Sequence, residues 1–252
     1  MWWRKPSNDR DWREDYALLP YAEREGDFVH VKNIRNCRYE SEEEIDVRHY
    51  DKTYDLRKLK QLWFANIPFS RFLAHALVSF EFEGGEFLAI SVELRKKHGD
   101  DFSMTKGLLN MMELAYVVGD ERDLIKLRTN YRVEEHVYLY PIQAPTSFVR
   151  GFFLNMLERA NRLREKPEFY NTLKNSCADN LRRHANAVAP ESVPRGFAVL
   201  LPLRADRFLQ RLGYIDDSEP IEVLRKRHYV NERAKRWGDD PDFSRKIRST
   251  DA

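Results

Sequence analysis

The stretch Leu73-Ala74-His75-Ala76-Leu77-Val78-Ser79-Phe80-Glu81-Phe82-Glu83-Gly84-Gly85-Glu86-Phe87-Leu88-Ala89-Ile90-Ser91-Val92-Glu93-Leu94 decides the fold. Two apolar runs flank a Gly-Gly pair, the pattern of an antiparallel β-hairpin. Residues opposite each other share a face, so the apolar positions constrain the register. A two-residue Gly84-Gly85 loop would set Phe80 opposite Ala89 and Val78 opposite Ser91, scattering the large side chains. A three-residue loop, Gly84-Gly85-Glu86, pairs Val78 with Val92, Phe80 with Ile90 and Phe82 with Leu88 on one apolar face. The other face then carries His75, Leu77 and Ser79 beside Ser91, Glu93 and Arg95, with His75 diagonal to Glu93.

Upstream, residues 27–68 alternate enough to predict strands, including 47–56 and 62–67. Downstream, Ser103 is placed to cap a short helix carrying Leu108, Leu109 and Met112, and strands are predicted over 114–118 and 137–140. Phe148, Phe152, Met156, Ala160 and Leu163 recur at helical spacing and predict a helix over 147–164, ended by Pro167. A second helix runs from Cys177 to Pro190, and a highly charged one is expected over 218–237. The fold class is therefore α+β, an antiparallel sheet packed with helices. Residues 1–215 read as one domain and 216–252 as a charged helical extension.

The 43 Lys and Arg against 41 Asp and Glu leave a net charge of +2, so no global field points to nucleic acid. Two cysteines do not make a disulfide framework. The apolar run 72–82 is too short to cross a bilayer. The start, Met1-Trp2-Trp3-Arg4-Lys5-Pro6, turns polar at once and is not a secretory signal. Paired tryptophans followed by Arg and Lys suit a stub just after a removed membrane helix, or they pack on the domain.

Chemistry centres on Cys177. It stands where a loop gives way to a helix, and the partial positive charge of a helix start favours a thiolate. Such a nucleophile needs a base and a group that orients the base. His184 lies two turns along the same helix, about 10 Å away at 1.5 Å per residue. His75 shares a strand face with Glu93, which suits a base and its orienting carboxylate. Arg95 and Arg128 are candidate anion-binding residues, with salt bridges as the alternative. Tyr170 and Asn171 either position a substrate or close the loop before the Cys177 helix. Cys37 reads as a buried small residue. No metal or cofactor is assigned.

Asn8-Asp9-Arg10-Asp11-Trp12, Asn33-Ile34-Arg35-Asn36, Ala74-His75-Ala76-Leu77-Val78-Ser79-Phe80, Ser91-Val92-Glu93-Leu94-Arg95, Asp120-Glu121-Arg122-Asp123, Val137-Tyr138-Leu139-Tyr140, Pro167-Glu168-Phe169-Tyr170-Asn171-Thr172-Leu173 and Asp242-Phe243-Ser244-Arg245-Lys246-Ile247-Arg248 together resemble the bacterial Lnb N-terminal periplasmic domain family. The resemblance implies a periplasmic domain, membrane-tethered in the full-length protein through an N-terminal anchor missing or removed here. It also implies a thiol-dependent site on a fold similar to circularly permuted papain-like enzymes, in the order His75, Glu93, Cys177. Related full-length proteins are associated with moving a fatty acyl chain from phospholipid to a lipoprotein amine, so lipid or lipoprotein is the implied substrate. One departure stands out: the family's usual Asn-Cys-Thr-Thr is replaced by Ser176-Cys177-Ala178-Asp179, and Asp179 opposes thiolate formation. The leading expectation is a Cys-His acyltransferase or hydrolase of the cell envelope. The alternatives are an envelope peptidase or amidase, and a non-enzymatic sensor or binding module.

Overall fold

The computed structural model describes residues 5–71, 73–100, 112–189, 193–194 and 204–249. The helix expected after Ser103 and the tryptophans at 2 and 3 lie outside these residues. Among the described residues the strands are β1 (Tyr21–Glu25), β2 (Phe28–Arg35), β3 (Arg38–Tyr39), β4 (Ile45–Asp46), β5 (His49–Asp55), β6 (Leu59–Pro68), β7 (Ala74–Phe82), β8 (Glu86–Leu94), β9 (Leu114–Gly119) and β10 (Tyr138–Pro141). The helices are α1 (Glu14–Ala17), α2 (Glu121–Lys126), α3 (Thr146–Glu165), α4 (Cys177–Val188), α5 (Ala205–Arg211), α6 (Ile221–His228), α7 (Asn231–Arg236) and α8 (Phe243–Lys246). A π-helical turn, Leu127–Tyr131, continues α2.

The main sheet runs β1-β2-β9-β8-β7-β6-β10, with β5 also paired to β2. It is mixed rather than purely antiparallel, because β2 meets β9 in parallel at Arg35↔Gly119. The hairpin forms as expected, but its register is Val78↔Ile90, Phe80↔Leu88 and Phe82↔Glu86, two residues from the predicted one. A shift of two leaves every side chain on its face, so the apolar pattern could not distinguish the registers. The turn decides. Gly84 and Gly85 both adopt positive φ, +81° and +79°, and the loop is therefore Glu83-Gly84-Gly85. Continued by two residues, this register sets His75 across from Glu93 rather than diagonal to it.

The sheet buries both faces. Ala76, Val78, Phe80, Phe82, Leu88, Ile90, Val92, Tyr116 and Val118 pack against α3 and α4 in the largest apolar cluster, which also includes Cys177. Helix α3 supplies Phe148, Phe152, Phe153, Met156 and Leu157, spaced three and four apart so that one stripe faces the sheet. On the opposite face Ala65, Ile67 and Leu77 pack with Ile125, Val137, Val230, Ala234, Phe243 and Ile247. The segment read as one charged helix over 218–237 is two helices, α6 and α7. The break falls where Tyr229 bridges Tyr138 and the Val230 N–H donates to the Val137 carbonyl. Four of its apolar residues are buried, Ile221 and Leu224 in the first cluster and Val230 and Ala234 in the second, while Val223 is exposed. Arg245 donates to the Gly84 carbonyl at 2.6 Å and so reaches the hairpin tip.

Candidate functional site

Strands β7 and β8 part at one end, and the parting makes the site. Their pairing runs from Phe82↔Glu86 to Leu77↔Ser91. Beyond it β7 goes on pairing with β6 as far as Ala74↔Pro68, and β8 with β9 as far as Leu94↔Leu114. Helix α4 begins at this opening. Ser176 caps it, its hydroxyl accepting from the Asp179 N–H at 3.2 Å, and Cys177 is the first helical residue.

The Cys177 sulfur is buried, 5% exposed, and free of any disulfide, as is Cys37. Burial pushes the Cys177 thiol up, while the N–H groups of Ala76 and Ala178 and the Tyr170 hydroxyl, all directed at the sulfur, pull it down; burial prevails. Tyr170 Oη also lies 3.4 Å from the Cys177 N–H, so this side chain closes over the helix start. Asn171 closes the preceding turn instead: its Oδ1 accepts from the N–H groups of Leu173 and Lys174 at 3.0 and 2.9 Å.

His75 neighbours Ala76 in the chain but points to the other face of β7. Its Nε2 lies 2.8 Å from Ser91 Oγ, and Ser91 Oγ donates to Glu93 Oε1 at 2.8 Å. The single hydroxyl proton of Ser91 is spent on Glu93, so Nε2 carries the ring proton and Nδ1 is left as the acceptor. The direct Nε2 to Glu93 Oε1 separation is 4.0 Å, and Ser91 is the link between them. Sequence reasoning placed Ser91 on this face but gave it no role. Its position two residues before Glu93, across from Leu77, was the available signal.

Glu93 is held by three partners. Arg128 Nη2 donates to Oε1 at 2.7 Å, and Tyr16 Oη donates to Oε2. Burial opposes its charge, but Arg128, His75 and Arg35 keep the carboxyl well below its usual range. Burial, reinforced by Arg128 and Arg132 and only partly offset by Glu93, pushes the His75 imidazole down to about 3. At rest the site therefore holds a neutral imidazole and a neutral thiol. Arg128 is 3% exposed, and a π turn carries it to Glu93, where it orients a carboxylate from within the protein. Arg95 is likewise internal. It donates to the Tyr16 and Ala17 carbonyls and to Asn8 Oδ1, and stacks 4.0 Å over Trp12, fastening the N-terminal segment.

Behind Cys177, His184 braces α4. Its Nδ1 meets Asn155 Oδ1 at 2.7 Å and its Nε2 meets Tyr116 Oη at 2.6 Å. Burial, together with Arg159, Arg162 and Arg183, pushes it down to about 3. Asn180 donates to the Ser176 carbonyl and to Asn175 Oδ1, tying the loop before Cys177 to the helix. Two histidines buried neutral have a consequence for stability. Their folded-state values lie below the ordinary 6.5, so the unfolded chain binds more protons as pH falls. The stabilisation is complete above pH 6.5 and is lost as pH drops towards 3. Each histidine accounts for about 2 kcal/mol lost by pH 5. Denaturant melts between pH 7 and 4.5 check this: His184→Gln lowers the proton uptake on unfolding by about one, and an unchanged uptake refutes it.

An apolar cavity of about 100 Å³ opens near the start of α4. Ala76 and Ala178, the residues whose amides meet the thiol, form one wall, and Phe64, Phe148, Phe152 and Phe208 form much of the rest. Five separate elements contribute, which is why no stretch of sequence announced it. Among the described residues no cluster of side chains could hold a metal ion, and no helix is long and apolar enough to cross a membrane.

Neither the curated proteins nor the solved structures include a match to this chain. The family model described as the Lnb N-terminal periplasmic domain does match, over residues 46–204, a span that holds His75, Ser91, Glu93, Arg128, Tyr170 and Cys177 and exceeds half of the sequence, so the chain belongs to this family of periplasmic domains.

Proposed function

We propose that this domain is a thiol-dependent acyltransferase that takes a long acyl chain from an ester donor through Cys177. The observation that carries the reading is the apolar cavity whose wall begins at Ala76 and Ala178, the two residues that direct N–H groups at the sulfur. An aliphatic chain in that cavity brings its carbonyl to the thiol. A peptidase would be served better by an open polar cleft.

In this reading His75 Nδ1 reaches the thiol through the gap where β8 parts from β7, and takes its proton as the sulfur attacks the carbonyl carbon. Ser91 and Glu93 stabilise the imidazolium that forms, and Arg128 keeps Glu93 in place. The N–H groups at the start of α4 and the Tyr170 hydroxyl face the developing oxyanion. The ester C–O bond breaks, and the departing alcohol takes the proton from His75. The acyl chain is then held as a thioester on Cys177 until an amine, such as that of a lipoprotein, attacks it, His75 taking the amine proton and passing it to the departing sulfur as the C–S bond breaks. Such an arrangement fits a permuted papain-like plan.

The test is trapping. Incubation with phospholipid is expected to add the mass of one acyl chain to the intact protein, mapped to Cys177. No adduct, with rapid cleavage of a peptide instead, would overturn the reading in favour of a peptidase. Within this mechanism Ser91→Ala slows adduct formation by about tenfold to a hundredfold, because the imidazole loses the group that fixes its tautomer. The rate of adduct formation with the same lipid, followed by intact mass, checks it, and an unchanged rate removes Ser91 from the mechanism. A binding module is the second reading, favoured by the burial of the thiol itself. Negligible reaction of Cys177 with iodoacetamide in the native protein, without lipid, would support it.

A further inference from the structure

Helix α5 separates two cavities of opposite character. Ala205, Phe208 and Leu209 face the apolar cavity near the start of α4. Arg204 and Arg207 face a second one, of about 330 Å³, whose other walls are Asn66, Pro68, Tyr138 and Arg225. Arg225 is committed to Asp206, donating from Nε and Nη2 at 2.7 and 3.0 Å. Arg207 pairs with Glu222 at the exposed rim. Arg204 is exposed, and no described residue bonds its guanidinium. Three guanidinium groups against two carboxylates leave this cavity with one positive charge in excess.

Asn66 adds an independent sign of a ligand. Its side chain is 2% exposed, and its Oδ1 is buried without a hydrogen-bond partner. A buried acceptor left unpaired is destabilising, so the position suits a molecule that brings a donor. Asn66 lies directly across from Ala76, one strand spacing or about 4.8 Å away, and Ala76 is the residue whose N–H meets the Cys177 sulfur.

We propose that Arg204, Arg207 and Asn66 form a subsite for a phosphate ester that carries a hydroxyl or amine, and that this subsite holds the headgroup of the amphiphile whose chain occupies the apolar cavity. Two arginines three residues apart on one face reach different oxygens of a tetrahedral anion. The neighbouring hydroxyl or amine satisfies Asn66. Asn66 and Arg204 fall within the residues matched by the family model, and Arg207 and Arg225 beyond them. The link to catalysis rests on the acyl-transfer reading, but the binding does not.

The experiment uses Cys177→Ala protein, which can bind lipid without forming an adduct. It is titrated with dihexanoyl-phosphatidylglycerol, with dihexanoylglycerol as the uncharged lipid of the same chains, and with inorganic phosphate. The phospholipid is expected to bind about tenfold more tightly than the uncharged lipid, the gain from one or two charge-assisted hydrogen bonds. Arg204→Gln combined with Arg207→Gln erases that difference. Equal binding of the two lipids, or a preference that survives in the double variant, overturns the proposal. Inorganic phosphate binding as tightly as the phospholipid overturns the headgroup assignment and leaves a free-phosphate site. Failure of the acyl-transfer reading shows separately, as a missing adduct on the protein with Cys177 intact.

Discussion

Replacing Cys177 with alanine abolishes the acyl adduct and lowers transfer by about a thousandfold or more, the scale seen when a covalent nucleophile is removed. The sulfur is the atom on which the site converges: the amides of Ala76 and Ala178 and the Tyr170 hydroxyl all favour its ionised form, and Ala76 and Ala178 also line the apolar cavity. Serine does not rescue. An imidazole pushed down to about 3 is too weak a base to deprotonate a hydroxyl, which is far less acidic than a thiol. The fold persists in both variants, because exchanging one small buried group costs no more than about 1–2 kcal/mol. Intact mass after incubation with lipid, read beside a thermal melt, separates lost chemistry from lost structure. An acyl adduct on the alanine variant would place the nucleophile elsewhere.

The second large effect is on stability. Asp123 is fully buried on α2 and accepts four hydrogen bonds: from Arg35 Nε and Nη2, both at 2.9 Å, and from the Cys37 N–H and Tyr39 Oη, both at 2.8 Å. Arg35 is itself only 3% exposed. Asp123→Ala leaves the buried Arg35 guanidinium with only the longer ion pair to Asp15, 3.4 Å from Nη1, and costs about 3–5 kcal/mol, as when one partner of a buried pair is deleted. For a chain of this size that corresponds to a fall in Tm of about 10 °C. Tyr39→Phe removes one hydrogen bond from the same network and costs only about 1 kcal/mol. Urea melts of the two variants check the contrast. Equal losses would mean that the charge on Asp123 is not what ties β2 to α2.

Much of this arrangement was legible in the sequence, and the misses have physical causes. The hairpin, the faces of its strands and the helix beginning at Cys177 follow from alternation, from the glycine pair and from the loop-to-helix change. The hairpin register was misread because moving by two residues preserves every inside and outside assignment; only the left-handed conformation of Gly84 and Gly85 separates the options. The parallel meeting of β2 and β9 joins residues far apart in the chain, which local patterns do not encode. The residues beyond 216 look charged because their apolar members are sparse, yet Ile221, Leu224, Val230 and Ala234 are enough to bury one side of two short helices.

At the site, residue types were easier to read than partners. Cys177, His75 and Glu93 stood out as chemistry-bearing side chains. The intervening hydroxyl of Ser91 did not, since a serine on a strand is common and only the folded distances make it a bridge. Arg95 and Arg128 looked equally suited to an external anion, but burial and hydrogen bonding occupy both with the protein itself.

Where β8 has parted from β7, the Ala76 amide favours the ionised form of the Cys177 thiol. The backbone thus acts as a gauge of the sulfur's chemical state. Alkylation, oxidation or acylation at Cys177 alters the partner of that one amide, so its nuclear magnetic resonance shift and hydrogen-exchange rate register each event without any label on the substrate.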